Sequence, residues 1–396
     1  MKNKNKRTDS NRTVLRKGEG QRSDNGLYYY RYSENGTRKT IYAATLDELR
    51  EEEKKIQQCM FQGISYSAGN MTVMELVLKY LPLTGDAVYS TKVNYNFVVN
   101  VLKTEPFANR KICTVKISEA KAWLISLHDR GYKRNTICTI RGVVKPAFQM
   151  AVEDRIISAN PFDFKLKSIN IKDDAEKIPA LKAHEQETFM NFLKGDKIGS
   201  KYYDACLILL ETGLRISEFC GLTFKDIDFE NGVINVDHKL YKKKGGVYAV
   251  DEPKTENAVR QIPMTVEAYN AFKRVIADRN NPKIETIVDG YSGFLFLNYY
   301  GQPHTAVDYQ HAIKRLREKF AETHSVVLPK ITPHVFRHTF CTNMAYAKMN
   351  IKSLQYVMGH ADIATTLAYY VDVDLDYAVK DMGEVVKLAV NNLFAP

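Results

Sequence analysis

Two polar, weakly patterned stretches interrupt the apolar periodicity of this 396-residue chain and divide it into three segments. Residues 62–70 read QGISYSAGN, and a run rich in Lys and Asp, 165–177, follows Asn160-Pro161. Glycine, serine and proline in such stretches favour turns and linkers over regular structure. The pattern predicts three domains, 1–65, 71–163 and 178–396, which agrees with a usual domain size of about 150 residues.

The composition excludes several classes of protein. With 44% hydrophobic and 26% charged residues, disorder is not expected as the main state. No apolar run approaches the roughly 20 residues of a membrane helix. The basic start of the chain lacks an apolar region after it, so no secretory signal is predicted. The six cysteines are scattered without a CxxC pair, which favours a reducing cytoplasm over a disulfide scaffold or a zinc site.

An uneven basic excess indicates a polyanionic partner. The chain has 57 Lys and Arg against 46 Asp and Glu, a net charge of +11. Residues 1–44 alone hold eleven basic and four acidic side chains. Clustered positive charge favours nucleic acid through counterion release, although many basic proteins bind no anion.

The first segment predicts a small β-hairpin followed by a helix. The run 27–32 is aromatic and β-prone, 33–36 contains an Asn-Gly turn, and 38–42 returns as a strand. Thr45 and Glu48 form a capping box at the start of a helix. We interpret this unit as a DNA-reading module, or else as a sheet whose tyrosines only cover the helix. The candidate DNA contacts are Tyr28, Tyr30, Arg31, Arg38 and Lys39.

The second segment predicts a four-helix bundle. Thr72 and Glu75 form a second capping box, and apolar residues recur at helical spacing. The predicted apolar face of the second helix includes Val93, Phe97 and Leu102. Basic residues on the fourth helix and its entry face either solvent or DNA phosphates. These four are Lys133, Arg134, Arg141 and Lys145.

The third segment alternates helices with a short β region, and the whole chain is predicted to be mainly α with small β-sheets (α+β). A hairpin is expected over 227–236, turning at an Asn-Gly pair, with further strands in 247–264. No internal repeat or low-complexity tract occurs.

Arginine and lysine mark the first two clusters of this segment. An apolar helix runs into a turn at Gly213, and Arg215 follows directly. Glu218 comes three residues later, where it could orient the guanidinium or form an ordinary surface ion pair. Lys254 sits in a predicted β-turn and is followed by a strand that begins near Arg260. A lone lysine of this kind usually only contributes to solubility.

A histidine and an arginine mark the third cluster. Thr332 and Pro333 predict a helix start, which places His334 and Arg337 on one face near the helix N-terminus. Such an end is suited to a phosphate. A zinc site is not expected, since no partners at metal-ligand spacing are near.

The fourth cluster joins a helix end to two tyrosines. Gly359 predicts the end of a helix, His360 follows it, and Tyr369 and Tyr370 come nine and ten residues later. A tyrosine pair by itself indicates core packing more often than catalysis.

The ordered series of Arg, Lys, His-x-x-Arg, Gly-His and Tyr resembles the tyrosine recombinase (phage integrase) family. Within it, the chain is similar to integrases of conjugative transposons and phages of Gram-positive bacteria. The resemblance covers nearly the whole chain. It implies an arm-type DNA-binding module, a helical SAM-like core-binding bundle and a mixed α/β catalytic domain with a tail helix.

The resemblance also implies the roles of the site residues. Arg215 and Arg337 would clamp the scissile phosphate, which guanidinium forks bind well. His334 and His360 would donate hydrogen bonds to the phosphate oxygens, and His334 would also handle the proton of the nucleophile. Lys254 would protonate the leaving 5′-oxygen. Glu218 would support Arg215, which is our own inference.

The nucleophile would be one of the two tyrosines, linked to DNA as a 3′-phosphotyrosine. Many relatives have it nine residues after the Gly-His histidine, which is Tyr369 in this chain, but the Gram-positive integrases have it ten residues after, which favours Tyr370. Because the covalent link conserves the phosphodiester energy, no ATP, metal or other cofactor is expected. The sequence also lacks a P-loop.

The expected function is site-specific recombination that integrates and excises a mobile element. The expected partners are double-stranded DNA at core and arm sites, further copies in a tetramer on DNA, an excisionase and a host DNA-bending protein, and no membrane. The protein is expected in the bacterial cytoplasm, at the nucleoid. A non-catalytic DNA-binding protein of the same fold and a type IB topoisomerase are the alternatives. The complete residue set argues against the first, and the separate N-terminal module argues against the second.

Overall fold

A computed structural model divides the chain into two compact units, Met1–Glu176 and Lys177–Pro396. At 369 and 370 it describes only the helix backbone. Among the described residues, no helix has the length and apolar character that crossing a membrane requires. The described residues are 7–34, 36–85, 87–172, 174, 179–252, 258–279, 281–370 and 382.

The first unit begins with a three-stranded antiparallel sheet. Its strands, in spatial order, are β1 (Glu19–Gln21), β2 (Tyr28–Glu34) and β3 (Thr37–Ala43). The hairpin of β2 and β3 confirms the sequence prediction, whereas β1 was not predicted. The sheet packs on α1 (Leu46–Phe61), which starts at the predicted capping box.

The register of the sheet separates two faces of β2. Side chains alternate along a strand, so Tyr28, Tyr30 and Tyr32 share the face toward α1. The opposite face, here called the outer sheet face, carries Tyr29, Arg31 and Ser33 on β2 and their partners Tyr42, Thr40 and Arg38 on β3.

Four helices follow in the same unit and confirm the predicted bundle. They are α2 (Val73–Tyr80), α3 (Tyr89–Lys103), α4 (Ile117–Asp129) and α5 (Arg134–Glu153). The capping box of Thr72 and Glu75 is present.

The predicted buried face of α3 is wrong in part. Leu102 is buried as predicted, but Val93 and Phe97 are exposed, and the helix buries Val98 and Val101 in their place. The segment YSTKVNYNFVVNVLK has apolar residues on more than one side, so its periodicity does not define a single buried stripe.

Among the described residues, the second unit has three helices before its strands and five after them. They are α6 (Ala183–Gly195), α7 (Ser200–Thr212), α8 (Ile216–Gly221), α9 (Val266–Asp278), α10 (Ala306–Thr323), α11 (Pro333–Tyr346), α12 (Ile351–Met358) and α13 (Ile363–Tyr370). Helix α7 packs against α6, α9 and α11, and buries Leu209 among aromatic rings and aliphatic side chains of the core.

Two small antiparallel sheets lie between α8 and α9 in the chain. One has the order β4 (Ile227–Asp228), β5 (Val233–Val236) and β8 (Arg260–Pro263). The other pairs β6 (Lys239–Lys242) with β7 (Tyr248–Asp251). The predicted hairpin over 227–236 and the strands in 247–264 are confirmed. With mostly helices and small antiparallel sheets, the chain has the mainly α, α+β fold that the sequence predicts. The three-domain division stays a prediction.

Candidate active site

The end of helix α12 organises the candidate site. The last carbonyl groups of a helix lack partners within it and carry partial negative charge. Here three consecutive carbonyls each accept a hydrogen bond from a different arginine. The donors are Arg260 to Val357, Arg337 to Met358 and Arg215 to Gly359.

Arg215 lies just after the sharp turn that ends α7. Gly213 has a φ of 63°, and a Cβ at this position would lie 2.4 Å from Cδ1 of Phe340, so the turn requires glycine. Arg215 Nη2 donates to the Gly359 carbonyl at 2.7 Å, and Nη1 donates to Glu218 Oε1 at 2.7 Å. The side chain is one-third exposed, so it can still reach a ligand.

Arg337 comes from helix α11, which begins as predicted. The hydroxyl of Thr332 accepts from the backbone N–H of Val335, and Pro333 occupies the first turn. Arg337 is buried, and its Nη1 donates to the Gly213 carbonyl at 2.6 Å. Since it also reaches the end of α12, Arg337 holds the α7 turn and the α12 turn together.

His334 is exposed one helical turn before Arg337. Partial loss of hydration lowers its pKa, and so do the charges of Arg337 and Arg215. The two arginines therefore act on the same imidazole, which is neutral at pH 7.

His360 is buried and held by both ring nitrogens. Its Nε2 lies 3.0 Å from Nη2 of Arg337, and its Nδ1 lies 3.0 Å from the hydroxyl of Thr366. Arginine can only donate, so Nε2 must accept and Nδ1 must carry the proton. Burial and the neighbouring arginines lower the pKa of His360 to about 4. In this arrangement the ring proton points to Thr366, and the role of His360 as a donor to phosphate stays a prediction.

Thr366 connects the two tyrosines to the site. It is buried in α13, and Tyr369 and Tyr370 follow it by three and four residues at the end of that helix. Residues three and four positions apart lie on the same face of a helix, so Tyr369 and Tyr370 both lie on the face of Thr366. The helix backbone therefore does not identify which tyrosine is the nucleophile. Lys254 lies outside the described residues, as does the predicted tail helix from Asp381 apart from Met382.

Arg260 is the residue of the site that the sequence prediction missed. It is buried, and its guanidinium binds Glu218 through two hydrogen bonds, Nη2 to Oε2 at 2.9 Å and Nη1 to Oε1 at 3.3 Å. Burial alone would raise the pKa of Glu218, but Arg260 and Arg215 lower it to about 2. The predicted pairing of Glu218 with Arg215 is present, but Glu218 is shared between two arginines.

The candidate DNA contacts of the first unit divide into inward and outward side chains. Tyr28 is buried and its hydroxyl donates to Asp9, and Tyr30 stacks on buried Tyr32 on the same face. Lys39 pairs with Glu34 and contacts Ser67. These three predictions do not fit a DNA-facing position.

Arg31 and Arg38 do lie on the outer sheet face, and both are exposed. The guanidinium of Arg31 lies 4.8 Å from the ring centroid of Tyr29. Tyr29 and Tyr42 were not predicted, because three successive tyrosines do not reveal which of them face outward.

At least three of the four basic candidates in the bundle have protein partners, and the backbone N–H of Arg134 donates to Asp174. Arg141 donates to the carbonyls of Phe162 and Phe164, and Lys145 pairs with Asp163 at 2.8 Å. Of the other two, Lys133 is exposed and Arg134 half-buried.

One further group among the described residues has metal-ligand chemistry: Asp226, Asp237 and His238. The Nε2 of His238 contacts the Gly221 carbonyl at 2.7 Å, and its Nδ1 contacts Asp237. Asp226 Oδ2 accepts hydrogen bonds from Thr223. Since these atoms already have protein partners, we assign no metal to them.

The fold and this arginine-histidine site define a class of protein: the chain belongs to the phage integrase family, whose model matches residues 179–376. The model for the DNA binding domain of Tn916 integrase matches residues 3–60. The chain is therefore a tyrosine recombinase, a site-specific DNA recombinase, as the sequence predicts.

Particular relatives are similar along most of their length. The transposase from transposon Tn916 of Enterococcus faecalis is 40% identical and is aligned over 96% of this chain and 97% of its own. Tyrosine recombinase XerC of Anoxybacillus flavithermus is 27% identical over 66% of this chain and 79% of its own. Among solved structures, the Tn1549 transposon integrase in complex with a circular intermediate DNA is 44% identical, with a TM-score of 0.75, and the match covers 80% of this chain and 99% of that one.

Proposed function

We propose that this recombinase cuts and rejoins double-stranded DNA through a 3′-phosphotyrosyl intermediate, and so integrates and excises a mobile element. The observation that carries the proposal is the convergence of Arg215, Arg337 and His360 at the end of α12, with His334 beside them. These residues come from three separated parts of the chain.

The charge of this pocket suits a phosphodiester. Arg215, Arg337 and Arg260 bring three positive charges, and Glu218 supplies one negative charge. The transition state of phosphoryl transfer to tyrosine carries additional negative charge on the phosphate oxygens, which fixed donors in a partly dehydrated site stabilise. Arg215 and Arg337 are the proposed clamps.

The proposed reaction exchanges one phosphoester bond for another. The phenol oxygen of Tyr370 attacks phosphorus, its proton passes to the neutral His334, and the P–O5′ bond breaks while Lys254 protonates the departing oxygen. The reverse attack by a 5′-hydroxyl rejoins the strand. His360, through its acceptor nitrogen, orients Arg337 in this scheme.

The rest of the chain is proposed to bind and assemble the DNA. Residues 1–65 would bind arm sites through the outer sheet face, residues 71–163 would bind core sites with the exposed Lys133 among the contacts, and residues 178–396 would carry catalysis. The structure of the Tn1549 integrase with DNA supports a DNA partner. We further propose assembly into a tetramer on DNA in the cytoplasm, through the C-terminal tail, with an excisionase and a host DNA-bending protein as accessory factors.

Covalent trapping tests the proposal and the identity of the nucleophile. On nicked duplexes that carry candidate element ends, the wild-type chain and the Tyr369→Phe variant should form covalent protein–DNA adducts. The Tyr370→Phe variant should form none while it still binds the duplex.

Adducts with Tyr370→Phe but not with Tyr369→Phe would move the nucleophile to Tyr369. If neither substitution abolished adducts, the tyrosine mechanism would be wrong. Supercoil relaxation without strand exchange between two duplexes would favour a topoisomerase.

A further inference from the structure

Arg260 is buried beneath the site and is fully engaged by the protein. Its side chain has no exposed surface. Nε donates to the Val357 carbonyl at 2.7 Å, and Nη1 and Nη2 bind the two carboxylate oxygens of Glu218. The guanidinium therefore faces the protein and not the position of a phosphate.

Glu218 is the point at which Arg260 and Arg215 meet. Oε1 accepts from both guanidinium groups, and Oε2 accepts from Arg260 and from the backbone N–H of Arg215. A carboxylate has about four acceptor positions, so this set occupies them. The single negative charge of Glu218 is thus divided between two arginines.

This division controls how strongly Arg215 is held. Without Arg260, the buried carboxylate of Glu218 would have only Arg215 to neutralise it. The strongest geometry for that pair is bidentate, with two guanidinium nitrogens donating to the two carboxylate oxygens. Arg215 would then turn its nitrogens toward Glu218 and lose the geometry that leaves it available to a ligand.

Arg260 also supports the backbone to which both clamps are attached. A Cβ at Gly359 would lie 3.1–3.2 Å from atoms of the Arg260 guanidinium, so the side chain packs directly against this turn. The carbonyls of Met358 and Gly359 in the same turn hold Arg337 and Arg215.

We infer that Arg260 is a positioning residue for strand cleavage, which neutralises Glu218 and thereby keeps Arg215 directed at the scissile phosphate. The inference rests on the proposed function. It assigns Arg260 no contact with DNA.

The test compares Arg260→Met and Arg260→Lys in the full chain. Adduct formation on the nicked duplex is timed at saturating protein, and the Kd for the same duplex is measured separately. Misplacement of a clamp by about 1 Å can cost about 100-fold in rate, so Arg260→Met should slow adduct formation by roughly that factor. The Kd should be unchanged, and Arg260→Lys should recover part of the rate.

A second substitution separates positioning from simple loss of stability. In the Arg260→Met/Glu218→Gln double variant, the uncompensated carboxylate is gone, so adducts should form faster than with Arg260→Met alone. Because neutralising an unpaired buried carboxylate would also restore stability, the two variants are compared below the unfolding temperature of each, where a difference in rate reports positioning.

Arg279→Met is the matched control, since Arg279 is also buried. Its Nε donates to the Phe294 carbonyl at 2.8 Å, and its fork binds Glu285 at 2.9 Å through both nitrogens. Assayed below its unfolding temperature, this variant should keep the wild-type rate.

An equal loss of rate in Arg260→Met and Arg279→Met, or no recovery by Glu218→Gln, would overturn the inference. Absence of adducts with the wild-type chain would instead count against the proposed function.

Discussion

The hydrogen bonds of His360 to Arg337 and Thr366 place its single ring proton on Nδ1. This arrangement makes the free energy of unfolding depend on pH. The ring is neutral because protonation would place a proton against the donor Arg337. In the unfolded chain a histidine takes up its proton near pH 6.5, whereas in the fold this pKa falls to about 4. The unfolded state therefore binds more protons between these values, and stability rises with pH across that window.

We expect the contribution of His360 to the free energy of unfolding to be fully present above about pH 6.5 and to fall as the pH is lowered toward 4. The contribution of one such group is at most about 1.4 kcal/mol per pH unit. Denaturant unfolding of the wild-type chain and of His360→Asn between pH 7 and 5 measures it. The variant should show a shallower dependence, and parallel curves would contradict the assignment.

Single residues also show which parts of the candidate site can be predicted from the sequence and which cannot. Arg215, His334, Arg337 and His360 could be selected because their order along the chain resembles that of the tyrosine recombinase family. Arg260 could not, because its role depends on a contact with Glu218 that is 42 residues distant along the chain and formed only by the fold.

At the level of helices and strands, capping residues and glycine predicted where helices start and end. The apolar pattern predicted less well which side of a helix or strand is buried. The capping boxes at Thr45 and Thr72 and the helix end at Gly359 are present as expected. The faces of β2 and α3 were misjudged, because a run of tyrosines and an apolar-rich helix lack the polar positions that mark an exposed side.

The α7 turn gives an element-scale prediction. Gly213→Ala should lower the free energy of unfolding more than Gly232→Ala, because both positions have a positive φ (63° and 67°) but only the first meets another side chain. The left-handed backbone costs about 1–2 kcal/mol in each case, and the contact with Phe340 should add about 1–3 kcal/mol. Denaturant unfolding measures the difference, and equal losses would show that the ring moves aside freely.

At the scale of the whole molecule, the basic excess is uneven: residues 1–44, which carry the outer sheet face, hold eleven basic and four acidic side chains. The outer sheet face presents Arg31 and Arg38 beside exposed tyrosine. The basic side chains of α1, such as Lys54, are instead paired with neighbouring carboxylates.

The salt dependence of DNA binding should distinguish these two groups. For the full chain and a mixed-sequence duplex, each phosphate contact contributes about 0.9 to the slope of log K against log salt. Arg31→Ala and Arg38→Ala should each reduce the slope by about that amount. Lys54→Ala removes the same charge from α1 and should leave the slope unchanged. Fluorescence anisotropy over a salt series measures it, and equal slopes for all four proteins would argue against the outer sheet face.

Three guanidinium groups are attached to the carboxyl end of α12, so the positions of all three arginines depend on this one helix end. Three peptide carbonyls and the single carboxylate of Glu218 hold three positive charges there, which leaves a net positive charge. Unwinding the last turn of this eight-residue helix would break one hydrogen bond of each guanidinium group, while the contacts with Glu218 and Gly213 would remain. Heating or mutation in this turn is therefore expected to displace all three arginines at the same time.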